Sequence, residues 1–317
     1  MTEIENLLID LIKIPSVSGE EKEIGNFVFK KLKEFGGFRL EKQMVDKERF
    51  NIVARKGKSK IWIVAHMDTV PGEVPFKITK DKIYGRGSTD NKGSVAGAIM
   101  AAQDLPDINL LFTVGEEKDF CGAKLAKKII GRSKVIVMEA TRFEVYTSQR
   151  GVIDFRLQAK GIQKHSSLIE EIDENAFHRL VDVISYLIHK KWTAFNVGLM
   201  AGGVAVNIVA GHAEARISVR PETLEEYHRI LRELKELDKT KSVRVRVLCG
   251  IKPFESRLGI KGKRKKAFTE MAFFPNSLLF GGGDLDIAHS ANENIKRSDL
   301  NRLPEELIKV LKMVEEL

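Results

Sequence analysis

The stretch Ile61-Trp62-Ile63-Val64-Ala65-His66-Met67-Asp68 decides how the chain is read. Five apolar residues run without alternation, and a histidine and a carboxylate follow at once. A strand that is apolar on both faces has to be covered on both faces, which is the condition of a parallel strand in an α/β sheet. Further apolar runs at 52–54, 109–114 and 135–138 read as strands, and helical spacing fills the intervals at 93–102 and 121–130. This alternation predicts an α/β domain with a largely parallel sheet and helices on both faces. Two helices open the chain. Thr2 with Glu5 makes a capping box before Ile4, Leu7, Leu8 and Leu11; Ser18 with Glu21 makes another before Ile24, Phe27, Val28, Leu32 and Phe35, and Gly36-Gly37 ends that helix.

The middle of the chain changes rhythm. Strands at 152–159, 194–200, 214–219 and 243–248 and helices at 174–189 and 224–237 follow the order βαββαβ, the ferredoxin-like pattern. It reads as an inserted domain over residues 149–252, with residues 1–148 and 253–317 forming the first domain. The return segment predicts a helix near 267–274, a strand at 278–280, a glycine loop and a last helix over 304–317. The charge run Lys261-Gly262-Lys263-Arg264-Lys265-Lys266 follows the insertion and reads first as a solvated basic loop.

Composition narrows the class. Of 317 residues, 43% are hydrophobic and 31% charged, a globular balance. No apolar run of about 18 residues appears, so no membrane span is expected. The start, Met1-Thr2-Glu3-Ile4-Glu5, lacks a basic n-region and an apolar core, so a secretory leader is not expected. The two cysteines, Cys121 and Cys249, make neither a disulfide framework nor a thiolate zinc site, and suit a cytoplasmic protein. The net charge of +9 raises nucleic acid as a partner. Lys, Arg and Glu are interleaved, however, as on a heat-adapted surface, and the excess suits an acidic partner or substrate, so no nucleic-acid role is assigned.

Chemistry gathers where strands end. His66 closes the apolar strand and offers an imidazole nitrogen; Asp68, two residues on, can accept the other ring N–H. Such a pair also occurs on ordinary surfaces. Gly85-Arg86-Gly87-Ser88-Thr89-Asp90-Asn91-Lys92-Gly93 enters a helix; a phosphate cradle is the alternative, but the lysine is not followed by Ser or Thr, and Asp90 suits a bridging metal ligand better. Glu116 and Glu117 follow an apolar strand, where one can bind metal while its neighbour serves as a base; a solvated helix start is the bland reading. Glu139 ends the next strand, and His289 lies in a glycine-rich loop. Three consecutive apolar strands each end in a His or carboxylate cluster, and two histidines with three carboxylates is the mixture expected of a pair of zinc-like ions, with cobalt also suited.

In this order the motifs resemble the co-catalytic zinc metallopeptidase and aminoacylase family, peptidase family M20, across the whole chain. The resemblance implies that His66, Asp90 and Glu139 hold one ion and Asp90, Glu117 and His289 the other. It implies Glu116 as general base and acid, and Asp68 as the partner of His66. In Gly161-Ile162-Gln163-Lys164-His165-Ser166-Ser167, His165 resembles the family's oxyanion-steadying histidine, which reaches the partner subunit's site in homodimers built through the inserted domain. Asn207, Arg220 and Gly283 would contact substrate, Arg220 by clamping an α-carboxylate. A solvent histidine and an exposed strand-end arginine are the alternatives for His165 and Arg220. His178, His189, His212 and His228 read as structural or solvated. The stretch Gly282-Gly283-Asp284 ahead of His289-Ser290-Ala291-Asn292-Glu293, with the short length, is similar to the branch that releases lysine or ornithine from an acidic amino-group carrier protein of the LysW type. Glu255, Asp284 and Asp286 are candidates for the side-chain amine, and the 261–266 run for docking the carrier. The alternatives are a general N-acyl-amino-acid deacylase, a di- or aminopeptidase, and a non-catalytic basic binding protein.

Overall fold

The apolar strands find the cover their pattern requires. The computed structural model describes residues 1–317. It divides into two units: Met1–Ser148 with Glu255–Arg264 and Thr269–Leu317, and Gln149–Phe254 with Lys265–Phe268.

In the first unit the order is α1 (Glu3–Ile12), α2 (Lys22–Phe35), β1 (Arg39–Met44), β2 (Phe50–Lys56), β3 (Ile61–His66), β4 (Lys77–Ile78), β5 (Lys82–Tyr84), α3 (Lys92–Gln103), β6 (Ile108–Thr113), α4 (Cys121–Ile130), β7 (Lys134–Met138) and β8 (Tyr146–Gln149). The second unit holds β9 (Val152–Lys160), α5 (Ala176–Ile188), β10 (Asn196–Gly202), β11 (His212–Val219), α6 (Leu224–Lys239) and β12 (Arg244–Ile251). The chain then adds β13 (Phe254–Glu255), β14 (Lys263–Lys265), β15 (Ser277–Phe280), β16 (Asn294–Lys296) and α7 (Arg297–Glu315).

The large sheet runs β1-β2-β6-β3-β7-β15-β8-β13, with β14 on β8. Its centre, β6-β3-β7-β15, is parallel, and the β1–β2, β2–β6 and β15–β8 pairings are antiparallel. Every residue of β3 and β6 is buried, as an unalternated strand demands. Helices α1, α3 and α7 pack as one layer. Gly97 lets α3 approach α7, because a Cβ there would stand 2.4 Å from Leu303 Cδ2. Glu5 ties α1 to α7, accepting from Arg297 Nε (2.8 Å) and Nη2 (2.9 Å) and from Asn301 Nδ2 (2.9 Å). The second unit's sheet, β10-β11-β9-β12, is antiparallel throughout, and its core lies between one face of that sheet and α5 and α6. No helix is long and apolar enough to cross a membrane.

Three local expectations are corrected. Thr2 and Glu5 do form a capping box, but Ser18 does not cap α2, whose N-cap is Glu21; the Ser18 hydroxyl donates instead to Asp68 Oδ2 at 2.6 Å. The expected helix at 267–274 is one short 3-10 turn, Glu270–Phe273. The last helix does not begin at Pro304 but seven residues earlier, with Pro304 inside it. An interior proline costs about 3 kcal/mol. Burial of Leu300 and Leu303 ahead of it, and of Leu307, Leu311 and Val314 behind it, offsets that cost.

Candidate metal centre

Four neighbouring parallel strands bring their carboxyl ends to one edge of the sheet, the place where open α/β sheets gather ligand-binding groups. His66 is the last residue of β3, Glu116 and Glu117 lie just beyond β6, and Glu139 directly follows β7. The loop after β15 carries His289, and Asp90 precedes α3. His66, Asp90 and Glu139 each offer a donor atom within 4.8 Å of the others, and so do Asp90, Glu117 and His289. Asp90 joins the two sets: Oδ1 lies 3.1 Å from His66 Nε2 and Oδ2 lies 3.3 Å from His289 Nε2. His289 Nε2 is also 2.9 Å from Glu117 Oε1. His289 adopts φ +62°, an uncommon conformation for a residue with a Cβ and one that recurs at functional sites.

Asp68 lies beside His66 and also serves the neighbouring turn. Its carboxylate accepts the Glu116 N–H on Oδ1 (3.0 Å) and the Glu117 N–H on Oδ2 (3.0 Å), besides the Ser18 hydroxyl. His66 Nδ1 stands 3.0 Å from the Asp68 main-chain oxygen and 3.6 Å from its carboxylate. The ring is therefore oriented by the carbonyl, since 3.6 Å is too long for a hydrogen bond. The carboxylate, already engaged by three donors, fastens the Glu116–Glu117 turn.

The electrostatics describe a concentration of negative charge. Burial pushes the Glu116 carboxyl well above the ordinary carboxylate range, against the pull of His66 and reinforced by Glu139, Glu117 and Glu270. Burial opposes a proton on His66, yet the neighbouring carboxylates of Asp68 and Asp90 raise it well above the usual imidazole value. Hydrogen bonds to Asp90 and Glu117 push His289 up to about 10. Burial acts to raise Asp90, but His289 and His66 hold it below the carboxylate range. The carboxylates crowded around the two imidazoles make a site that favours positive charge. A third group, His66, Glu116 and Glu117, also has its donor atoms within 4.8 Å of one another, and all three groups contain imidazoles and carboxylates and no thiolate, which suits divalent zinc-like ions.

Two buried acids escape sequence reasoning. Glu293 is fully buried; Oε1 accepts the N–H groups of Thr89 (3.1 Å) and Asp90 (3.2 Å), and Oε2 accepts from Arg86 Nη1 (2.7 Å). It pins the Asp90 turn to the segment bearing His289. Glu270, also buried, is pushed up to about 7 by desolvation. Glu293 stands in the 289–293 stretch with no role of its own assigned to it, and Glu270 lies where a helix is expected.

The remaining candidates fall elsewhere. At Gly283, with φ +82°, a Cβ would stand 2.2 Å from Thr89 Oγ1, so only glycine lets this loop pack on Thr89. Asp284 and Asp286 are held by Arg142 at 2.5 and 2.6 Å. The 261–266 run is not a free loop: Lys263 pairs with Glu144 at 2.5 Å, and Lys265 is buried. His165, Asn207 and Arg220 belong to the second unit and to neither donor set. There His165 Nδ1 stands 2.7 Å from Ser167 Oγ, and the Ser166 N–H donates to the Asn207 carbonyl at 2.9 Å, which draws the His165 and Asn207 segments together. Arg220 anchors its N–H on the Thr193 carbonyl.

Residues 62–313 match the family model described as Peptidase family M20/M25/M40. A probable carboxypeptidase of Aspergillus clavatus is 34% identical over 252 residues, which cover 67% of this chain and 60% of that protein. The chain thus spans about 60% of that relative's length. A tripeptidase of Staphylococcus aureus superposes with a TM-score of 0.84 at 19% identity, covering 99% of this chain and 98% of that one. A dinuclear metal-binding M20 peptidase of Bacillus subtilis superposes with a TM-score of 0.77 at 15% identity, covering 99% and 98%. With the family model covering most of the sequence, the chain belongs to peptidase family M20/M25/M40.

Proposed function

We propose that this chain hydrolyses an amide bond with a pair of divalent metal ions, acting on a short peptide or an N-acylated amino acid. The observation that carries the reading is the pair of three-donor sets sharing Asp90, with Glu116 buried beside them. Family membership and the peptidase names of the relatives support it. His66, Asp90 and Glu139 would hold one ion and Asp90, Glu117 and His289 the other, zinc first and cobalt as a substitute. Bound there, the ions would supply a polarised water at neutral pH.

The chain's own groups do the rest. Glu116 takes the proton of the water that attacks the carbonyl carbon and returns it to the leaving amine nitrogen. Asp68 holds the Glu116 main chain in place for both transfers. Glu293 holds the Asp90 backbone, and hence the bridging carboxylate, in register. Arg220 would clamp a substrate carboxylate, Asn207 would orient the scissile group, and His165 would steady the oxyanion, in a homodimer assembled through the second unit.

A second reading is favoured by the basic charge: release of lysine or ornithine from an acidic carrier protein in the cytoplasm. The same metal chemistry serves both. Metal analysis followed by parallel assays on a dipeptide, N-acetyl-lysine and lysine-charged carrier tests them. Turnover of the dipeptide or the acetyl amino acid supports the first reading, turnover of the carrier alone supports the second, and a metal-loaded protein inert on all three contradicts both.

A further inference from the structure

The sheet of the second unit has two unlike faces. Ile153, Phe155, Leu157 and Ala159 of β9 lie in the core with α5 and α6, and the residues between them point to the opposite face. Antiparallel register sets Arg156 beside Arg216 of β11 and beside Arg246 of β12, so three guanidinium groups stand abreast on three adjacent strands. One step along, Gln158 lies between Glu214 and Arg244, and beyond it Lys160 pairs with His212. Five Arg and Lys side chains face two acids, Asp154 and Glu214. Arg216, Arg244, Arg246 and Lys160 are exposed.

Like charges directly opposite one another destabilise a sheet. Little on this face offsets the row. Glu214 stands 3.8 Å from Arg156, whose Nε is shielded from solvent without a hydrogen-bond partner. The helical side of the unit differs: Arg229 pairs with Glu226, Lys239 with Glu236 and Lys190 with Glu233. The excess is therefore local and not a uniform share of the chain's +9 charge. At one end of the face a cavity of about 340 Å³ is lined by Lys160, Arg179, Lys241 and Arg244 with a single acid, Asp238.

We propose that this sheet face docks an acidic protein segment, whose carboxylates pair with the row Arg156–Arg216–Arg246. Guanidinium groups bind carboxylates bidentately. Single-stranded nucleic acid needs aromatic platforms for its bases, and the outward positions of β9, β11 and β12 in this row and its neighbours carry none. The proposal does not rest on the hydrolase reading, and either can fail alone.

The full chain, titrated with a labelled poly-glutamate peptide and separately with a labelled single-stranded oligonucleotide, tests it by fluorescence anisotropy at stepped salt. Poly-glutamate should bind at low salt, release as salt rises, and weaken by about tenfold in the Arg156→Gln/Arg216→Gln/Arg246→Gln triple variant. A Lys33→Gln/Lys60→Gln variant, changed at exposed lysines of the first unit, should bind as the parent does. Arg216→Glu, a single exposed change, gives the same direction should the triple variant unfold. No binding of poly-glutamate, undiminished binding by the triple variant and by Arg216→Glu, or tighter binding of the oligonucleotide than of the peptide would overturn the proposal.

Discussion

The strand ends of the first unit and the open sheet face of the second both gather like charge, by opposite routes. At the strand ends, Asp90, Glu116, Glu117 and Glu139 are brought together out of water, and acids from distant segments, Glu293 and Asp68, hold the backbone that carries them. On the sheet face, register alone lines up half-buried Arg156 with exposed Arg216 and Arg246. Buried like charge is costly without a counter-ion, so the first arrangement calls for a tightly held cation. Exposed like charge costs little, so the second calls only for a weak, salt-sensitive partner.

Glu116→Gln breaks the first half of this comparison most severely. The amide retains shape and leaves the metal donors intact but cannot accept a proton. Turnover should fall by about three orders of magnitude with metal content unchanged. Near-normal turnover would remove Glu116 as the base.

Asp68→Asn should act at the next scale. An amide has one acceptor oxygen and cannot serve the N–H groups of Glu116 and Glu117 together with the Ser18 hydroxyl. Activity or metal affinity should fall by about 10- to 100-fold, measured by steady-state kinetics and metal titration. A Ser18→Ala variant should follow it in direction with a smaller loss.

The smallest effect lies outside both regions and calibrates them. Hydrogen bonding to Arg297, above all, holds the Glu5 carboxyl down at about 2, against an ordinary value of 4.5. A carboxyl depressed in the folded state contributes stability that is present above 4.5 and lost as pH falls towards 2. Chemical denaturation between those pH values should show a decline that Glu5→Gln reduces, the variant being less stable than the parent at pH 7. Parallel curves for the two proteins would mean that the ion pair carries no linkage.

Legibility in the sequence follows the range of the interactions involved. Apolar β3 and the α1 capping box rest on neighbours in the chain, and both are read correctly. Ser18 with Glu21 has the same spacing as Thr2 with Glu5, yet Asp68 captures the Ser18 hydroxyl, a competition between segments 50 residues apart that no local pattern records. Pro304 reads as a helix start because its cost is local, while the burial that overrides it is not. His66, Glu117 and Glu139 are legible because strands end where apolar runs end, while Asp90 at a helix entry and His289 in a loop enter only through the order of the motifs. Glu293 and Glu270 are not legible, because their meaning lies in what is packed around them. The arginine row is invisible until register is known, since Arg156, Arg216 and Arg246 are 60 and 30 positions apart.

The sharpest test is metal stoichiometry by equilibrium dialysis against zinc, followed by elemental analysis, on the parent chain and on Asp90→Ala. Two ions per chain in the parent, and loss of tight binding at both positions when the shared carboxylate is removed, are the expected results. A parent that binds no zinc, or an Asp90→Ala variant that still holds two ions as tightly, would contradict a shared two-metal centre.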